Sequence, residues 1–232
     1  MFAGGLKRLG LVTTRIPKSF SGNTLDKLIS DGIVDPPSAS SAWCIMSTAC
    51  APASDVACID LRDFHAGAKH AMQTSLGHFF SPAMMDIVSK SDVGATCEAN
   101  EYLRDVSSSC MYDSILKGTR KLARNNERIV PQSIDKFAIA HARFDKDEAD
   151  HEFVEFIVSC KVSYEKIATV ENDDTSSNSR GGDAAATDEA TIRLPKMHVM
   201  ATFKSFVPPS GELDWTLDRM RVSGKAFLDS AR

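Results

Sequence analysis

The sequence predicts an α+β fold in which N-terminal helices pack inside a strongly curved, four-stranded antiparallel sheet of cone-like shape. Two observations support this prediction. Apolar residues recur at three- and four-residue steps in the first half of the chain, which is the period of a helix. After Pro131 they recur at two-residue steps, which is the period of a strand. Helices that precede the strands, instead of alternating with them, are typical of α+β folds.

The clearest helix is predicted over residues 59–80, where one apolar stripe runs along a single side. Its members are Leu61, Phe64, Ala68, Met72, Leu76 and Phe79. Ser81-Pro82 ends this helix, and a short helix follows over 83–89. A third helical segment covers 98–125 and is expected to break around the three serines 107–109.

Four runs of strand-type residues follow, and short connections between neighbours favour antiparallel pairing. They cover residues 133–144, 152–168, 192–207 and 213–222. The segment 171–190 is acidic, lacks periodicity and is predicted to be a mobile insert between two strands. Together these elements place a domain at 59–224, followed by a short tail at 225–232.

Before the domain, residues 1–24 are basic and rich in hydroxyl groups, and the first acid of the chain is Asp26. This composition is that of a mitochondrial targeting segment, and the alternative is a disordered basic tail. Residues 25–34 are predicted to form a short helix. The Pro-, Ser- and Ala-rich stretch 35–54 reads as a linker or as an extended arm over the domain, within the segment 25–58. Trp43 is interpreted as the anchor of this arm or as a contact to a partner.

Composition excludes several classes of protein. The net charge of −4 argues against a general nucleic-acid binder, and no run reaches the roughly 18 apolar residues of a membrane span. Reduced thiols are expected for the six cysteines, because the chain is long, lacks a secretory segment and shows no regular disulfide framework. No Cys-x-x-Cys pair occurs, so a zinc site is not expected.

No catalytic motif is present, and the chain is predicted not to be an enzyme. An acid–base site would have to come from Asp63, His65, His70, His141 or His198. Asp63 and His65 flank the helix stripe and are expected to face solvent. His65 and His70 are five residues apart, so they do not share a helix side as metal ligands would. His141 and His198 fall in strands and could share the concave face of the sheet, where each is interpreted as a satisfied structural histidine. No cofactor, metal or small-molecule substrate is expected.

Five basic residues follow a three- and four-residue step at the end of the third helical segment. They are Lys117, Arg120, Lys121, Arg124 and Arg128. On a helix they would form one cationic face that could meet anionic cardiolipin-rich lipid, an acidic subunit or RNA, the last only in a ribosome. The alternative is a solvated polar face opposite the core. Interleaved aromatic residues for base stacking are absent, which weighs against RNA.

The segments 63–69, 136–144, 152–164, 198–206 and 214–222, with the closing peptide Trp215-Thr-Leu-Asp-Arg219, resemble a known family. The layout looks like the nuclear-transport-factor-like (cystatin-like) superfamily. More narrowly, it resembles the C-terminal domain of the mitochondrial inner-membrane translocase motor adaptor, which also occurs in the membrane-facing protein of the mitoribosome large subunit. The Trp215–Arg219 peptide looks like the family's aromatic–x–x–acid–Arg segment.

The resemblance implies a peripheral protein on the matrix side of the mitochondrial inner membrane. The expected function is that of a non-catalytic accessory or scaffold subunit of a large assembly, whether a respiratory-chain complex, ATP synthase or the mitoribosome. It would dock through contacts to other subunits and to lipid headgroups. Two alternatives remain open, namely a peripheral adaptor of protein import and a small-molecule enzyme or carrier that uses the cone cavity.

Overall fold

A computed structural model describes residues 25–50, 59–89, 97–125, 128–169, 189–208 and 213–223. Within these ranges the helices are α1 (Leu25–Ser30), α2 (Ala39–Ala49), α3 (Leu61–Phe79), α4 (Pro82–Ser89), α5 (Glu98–Val106) and α6 (Ser109–Arg124). The strands are β1 (Arg128–Lys146), β2 (Glu152–Thr169), β3 (Glu189–Arg193), β4 (Met197–Phe206) and β5 (Thr216–Ser223). This order of helices and then strands confirms the α+β class. The predicted leader and tail, and the predicted insert up to residue 188, lie outside the described residues.

The sheet is antiparallel and open, with the strand order β1-β2-β4-β5. It contains five described strands where four were predicted, because the run 192–207 is divided at residues 194–196. Both pieces pair with the same edge of β2. β4 pairs with the first part of β2, and β3 pairs with the C-terminal end of β2. Pro195 lies between them and has no N–H to offer to the ladder, so the pairing is interrupted there.

The segment predicted as an extended arm contains a helix, so that prediction was wrong for Ala39–Ala49. The side chain of Ser38 accepts a hydrogen bond from the backbone N–H of Ser41, which caps the helix after the two prolines. Buried apolar residues at helical spacing then hold α2 against β1; these are Ala42, Ile45, Met46 and Ala49. A composition rich in Ser and Ala concealed this pattern.

The other helices agree with the predicted periods. The Asp60 carboxylate caps α3 by accepting from the N–H groups of Arg62 and Asp63, and the whole predicted stripe of α3 is buried. The predicted break in the third segment occurs at Ser107, after which the Ser108 side chain accepts from Met111 N–H and starts α6. The serines therefore separate two helices instead of bending one.

Helices cover one face of the sheet, which we call the inner face. Alternate residues of β2 point to it and are at most 2 % exposed: Val154, Phe156, Val158, Cys160, Val162 and Tyr164. Phe64 of α3 contacts this layer, with its ring centroid 4.6 Å from Phe156 and 4.7 Å from Trp215. The other face of the sheet, the outer face, carries the residues in between.

β1 contains three irregularities at which it has one residue more than β2. They fall between Pro131 and Ser133, between Asp135 and Ala138, and between Ile139 and His141. Extra residues of this kind bend a strand and increase its twist. The middle irregularity includes Lys136, whose φ of 50° lies in the left-handed region.

Candidate docking site

Four of the five predicted basic residues lie on one side of α6. Lys117, Arg120, Lys121 and Arg124 follow steps of three and four, and the buried residues of this helix, such as Ile115 and Leu122, occupy the opposite side. We call these four residues the basic face. None of them forms an ion pair with a residue that the structure describes. Two of them stand in the last turn, where the helix dipole favours cations.

The fifth basic residue, Arg128, and the further predicted contact residue, Trp43, do not join this face. Arg128 is the first residue of β1, so the predicted five-residue helix face was wrong at its end. The chain leaves the helix at Asn125 because the C-cap of α6 is there. Trp43 lies on α2, which packs on β1, whereas α6 packs beside β5 at the other edge of the sheet. Trp43 is 49 % exposed, and its role as anchor or partner contact stays a prediction.

A cavity of about 350 Å³ lies beside the basic face, between α6 and β5. Its floor is apolar and comes from the end of α3, from β2 and from α6. The lining residues include Leu76, Phe79, Phe80, Met111, Ile115 and Tyr164. Cys110, Ser114 and Gly118 form the α6 wall, and residues 218–222 form the opposite wall. We call this feature the groove.

Gly118 leaves room for the Phe79 ring at the floor of the groove. A Cβ atom at this position would stand 3.2 Å from Cζ of Phe79, closer than side chains normally approach each other. A side chain at this position would therefore press on the Phe79 ring. A glycine within a predicted helix was too weak a sequence signal to indicate this site, because Gly67 and Gly77 also lie within a helix and a Cβ at either would meet nothing.

β5 is the last strand of the sheet, so one of its edges has no strand beside it among the described residues. Ser107 and Ser108 cover that edge at its beginning, where Ser107 forms an isolated parallel bridge to Leu217. Ser108 N–H donates to Leu217 O at 3.0 Å, and Ser108 Oγ donates to Asp218 O at 3.3 Å. Beyond Asp218, no described backbone group outside β4 hydrogen bonds to β5.

Burial raises the pKa of two groups on the inner face. The pKa of the Cys160 thiol rises to about 11, and the pKa of the Tyr164 phenol is raised by burial and by the neighbouring Cys160. Both groups therefore stay protonated and neutral near pH 7. An apolar floor that carries a neutral phenol is suited to binding apolar groups, not to nucleophilic attack.

The histidine candidates are placed away from the groove. His65 is half-buried, contrary to the prediction, because its Nε2–H donates to the carbonyl of Phe137 at 2.8 Å in the middle irregularity of β1. His198 Nε2 lies 2.7 Å from Ser159 Oγ. The register places both His141 and His198 on the outer face, so the two do share a face, but it is the face opposite the helices. Asp63 and His70 are exposed on α3.

No protein-family model matches the chain, and no curated protein matches it. Among the described residues, no group of His, Cys, Asp and Glu side chains is arranged to hold a metal ion. The helices in the described ranges do not include one that is long and apolar enough to cross a membrane. The site is accordingly characterised by its own geometry, a basic helix face beside an apolar groove.

Proposed function

We propose that this protein is a non-catalytic accessory subunit of a large assembly at the matrix side of the mitochondrial inner membrane. It docks with the basic face of α6 against an acidic surface of a neighbouring subunit. The observation that carries the proposal is the basic face itself, which presents four cations on one side of a helix without a described ion pair.

The electrostatics of α6 favour such a partner. Like charges three or four residues apart on a helix repel each other by about 0.2–0.5 kcal/mol per pair. The basic face contains four pairs of this kind, since Lys117 and Arg124 each neighbour both Arg120 and Lys121, and an acidic surface would relieve the repulsion. Charged residues at the edge of an interface mainly accelerate and orient association, which suits a subunit that binds at one position in an assembly.

The mitochondrial part of the proposal rests on the leader. Residues 1–24 contain four basic residues and no acid, the composition that the membrane potential draws towards the matrix. The resemblance to the motor-adaptor domain agrees with the same compartment. The proposed host assembly is a respiratory-chain complex, ATP synthase or the mitoribosome. The alternative is that the protein acts as an adaptor of the import machinery.

The docking proposal is tested by charge reversal with a matched control. Lys117→Glu with Arg124→Glu changes two exposed residues of the basic face, and Lys136→Glu with Lys161→Glu makes the same change of charge at two exposed residues of the sheet. The tagged protein is solubilised from mitochondria in mild detergent and followed on native gels. We expect the first pair to release it from a high-mass assembly at low salt and the second to leave it bound. Higher salt should loosen the wild type and so narrow the difference between the two double variants.

Three outcomes would contradict the proposal. Wild-type protein that migrates alone excludes a stable subunit. Equal behaviour of the two double variants reduces the basic face to a solvated surface. Binding of wild type to vesicles rich in anionic lipid, with no assembly on the gel, assigns the face to lipid headgroups instead of a subunit.

A further inference from the structure

The groove beside β5 has the form of a strand-binding site. An edge strand and a helix run side by side, the floor between them is apolar, and Ser107 and Ser108 close one end. We propose that the groove receives an extended acidic segment of the partner subunit, which adds to the sheet as a further strand next to β5. This inference rests on the docking function proposed above and names the chemistry of the partner.

The backbone of β5 provides the first argument. In an antiparallel pair every second residue directs its N–H and C=O away from the partner strand. β5 pairs with β4 alone in the described chain, so its groups beyond Asp218 face the groove. The chain already uses this edge once, since Ser108 N–H donates to Leu217 O in a parallel bridge. A peptide that enters the groove would continue these hydrogen bonds along Arg219–Val222.

The cavity provides the second argument. Side chains alternate across a strand, so every second side chain of an added strand would point to the inner face and therefore over the groove floor. The volume of about 350 Å³ falls in the range of roughly 300–1,000 Å³ that is usual for binding pockets. Apolar side chains at alternate positions would be buried against residues such as Phe80 and Met220.

The charge of the groove walls provides the third argument and indicates the charge of the bound peptide. Arg219 and Arg221 stand on the strand wall. Asp218 pairs with Arg219 at 3.0 Å, so Arg221 is the cation of that wall without a described ion pair. On the helix wall, Lys117 and Lys121 each lie three residues beyond a lining residue, Ser114 and Gly118, and so on the same side of α6. Cations flank the groove on both sides, so the outward side chains of the added strand are acidic.

The test uses the full chain and a short synthetic peptide that alternates Glu with Val. Binding is measured by fluorescence polarisation, and backbone protection by amide hydrogen exchange. We expect saturable binding together with slower exchange in Arg219–Val222, while the amides of β2 remain unchanged. The same peptide with Lys in place of Glu should bind at least about tenfold more weakly.

Cys110 reports directly on occupancy of the groove. It is exposed and lines the α6 wall, whereas Cys44 lies on α2 at the other edge of the sheet. Saturating peptide should slow alkylation of Cys110 several-fold and leave the rate at Cys44 unchanged, as measured by mass spectrometry.

A pair of variants separates the groove from the rest of α6. Ser114→Trp places a large side chain in the groove, and Asp113→Trp places the same side chain on an adjacent exposed position that does not line it. With both variants folded by circular dichroism, we expect only Ser114→Trp to lose binding by about tenfold or more.

Several results would overturn the inference. Binding without slower exchange in Arg219–Val222 means that charge attraction alone holds the peptide. Equal loss in the two tryptophan variants means that the groove is not the site. Faster exchange of β5 after removal of residues 224–232 means that the chain's own tail is the occupant. If the wild type migrates alone on native gels but binds the peptide, the subunit function fails and the groove remains a site for acidic strands from another source. If the assembly forms and the peptide does not bind, the inference fails alone.

Discussion

The two faces of the sheet are buried in different ways. The inner face lies under helices, and the inward residues of β2 are at most 2 % exposed. No described helix packs on the outer face, yet Phe153 and Glu155 of the same strand are only 5 % and 4 % exposed. A strand that is buried on both faces normally requires an element on each of them.

Long charged side chains supply the missing cover. The register places Glu155 between Arg143 of β1 and Lys204 of β4. Arg143 donates to one oxygen of Glu155 through Nη2 at 2.8 Å and through Nε at 3.1 Å, and its guanidinium lies 5.2 Å from the Phe153 ring. Lys204 Nζ lies 4.1 Å from the same ring and 4.7 Å from that of Phe206. Charged groups thus remain at the surface while their stems exclude water from the residues beneath.

The largest difference between the faces should appear when one phenylalanine of each is removed. Phe156→Ala should lower the free energy of unfolding by about 3–5 kcal/mol, because rigid helices leave a cavity above the site. Phe153→Ala should cost clearly less, about 1–3 kcal/mol, since the side chains of Arg143 and Lys204 can collapse into the space. Urea denaturation measures both values. Equal losses would show that the outer cover is as rigid as the helices.

High pH should lower the free energy of unfolding because Cys160 is buried on the inner face. Its pKa is raised from an ordinary value near 9 to about 11 on folding, so the unfolded chain loses this proton first as pH rises. The contribution of Cys160 to the free energy of unfolding is fully present below pH 9. As the pH rises towards 11 this contribution is lost, which lowers the free energy of unfolding by about 2–3 kcal/mol. Denaturation at a series of pH values should show a shallower loss for Cys160→Ala than for wild type. The exposed Cys110→Ala is the matched control and should leave the slope unchanged.

On the outer face, the Arg143–Glu155 ion pair should contribute to stability mainly because the Glu155 carboxylate is buried. Arg143→Ala leaves the Glu155 carboxylate buried without its guanidinium, and we expect a loss of about 1.5–3 kcal/mol. The double change Arg143→Ala with Glu155→Gln should recover part of the loss because no buried charge remains. A loss for the single variant within about 0.5 kcal/mol would mean that solvent reaches Glu155.

The smallest effect is expected from the charge of Lys204. Lys204→Met keeps most of the stem but removes the ammonium group from the two rings, at a cost of about 0.5–1 kcal/mol. Lys161→Met on the same face is the control, since an exposed lysine without a described ring contact should change stability by less than about 0.5 kcal/mol. Thermal melts of the two variants side by side resolve the difference.

Periodicity alone could predict most of the inner face, because helical and strand steps report which side of an element is apolar. The helix α3, the break before α6 and the inward residues of β2 all follow from it. The outer face could not be predicted in this way. Its packing depends on which residues stand opposite Glu155, and that register follows from irregularities in β1 that leave no mark on the apolar pattern.

The candidate site was predictable to a similar degree. The spacing of Lys117, Arg120, Lys121 and Arg124 predicted the basic face, but it could not show that the helix ends before Arg128. The groove was missed because it requires two facts that local sequence does not contain. One is the close approach of α6 to Phe79 at Gly118, and the other is the position of β5 at the edge of the sheet.

The extra residues of β1 have a consequence for changes in chain length. At each irregularity two residues of β1 stand opposite one of β2, so a deletion there restores regular pairing and leaves the later side chains on their faces. A deletion within a regular stretch, such as Ala142–Lys146, would instead turn every following side chain to the wrong face. β1 thus contains three positions at which the chain can become one residue shorter without exchanging its buried and exposed sides.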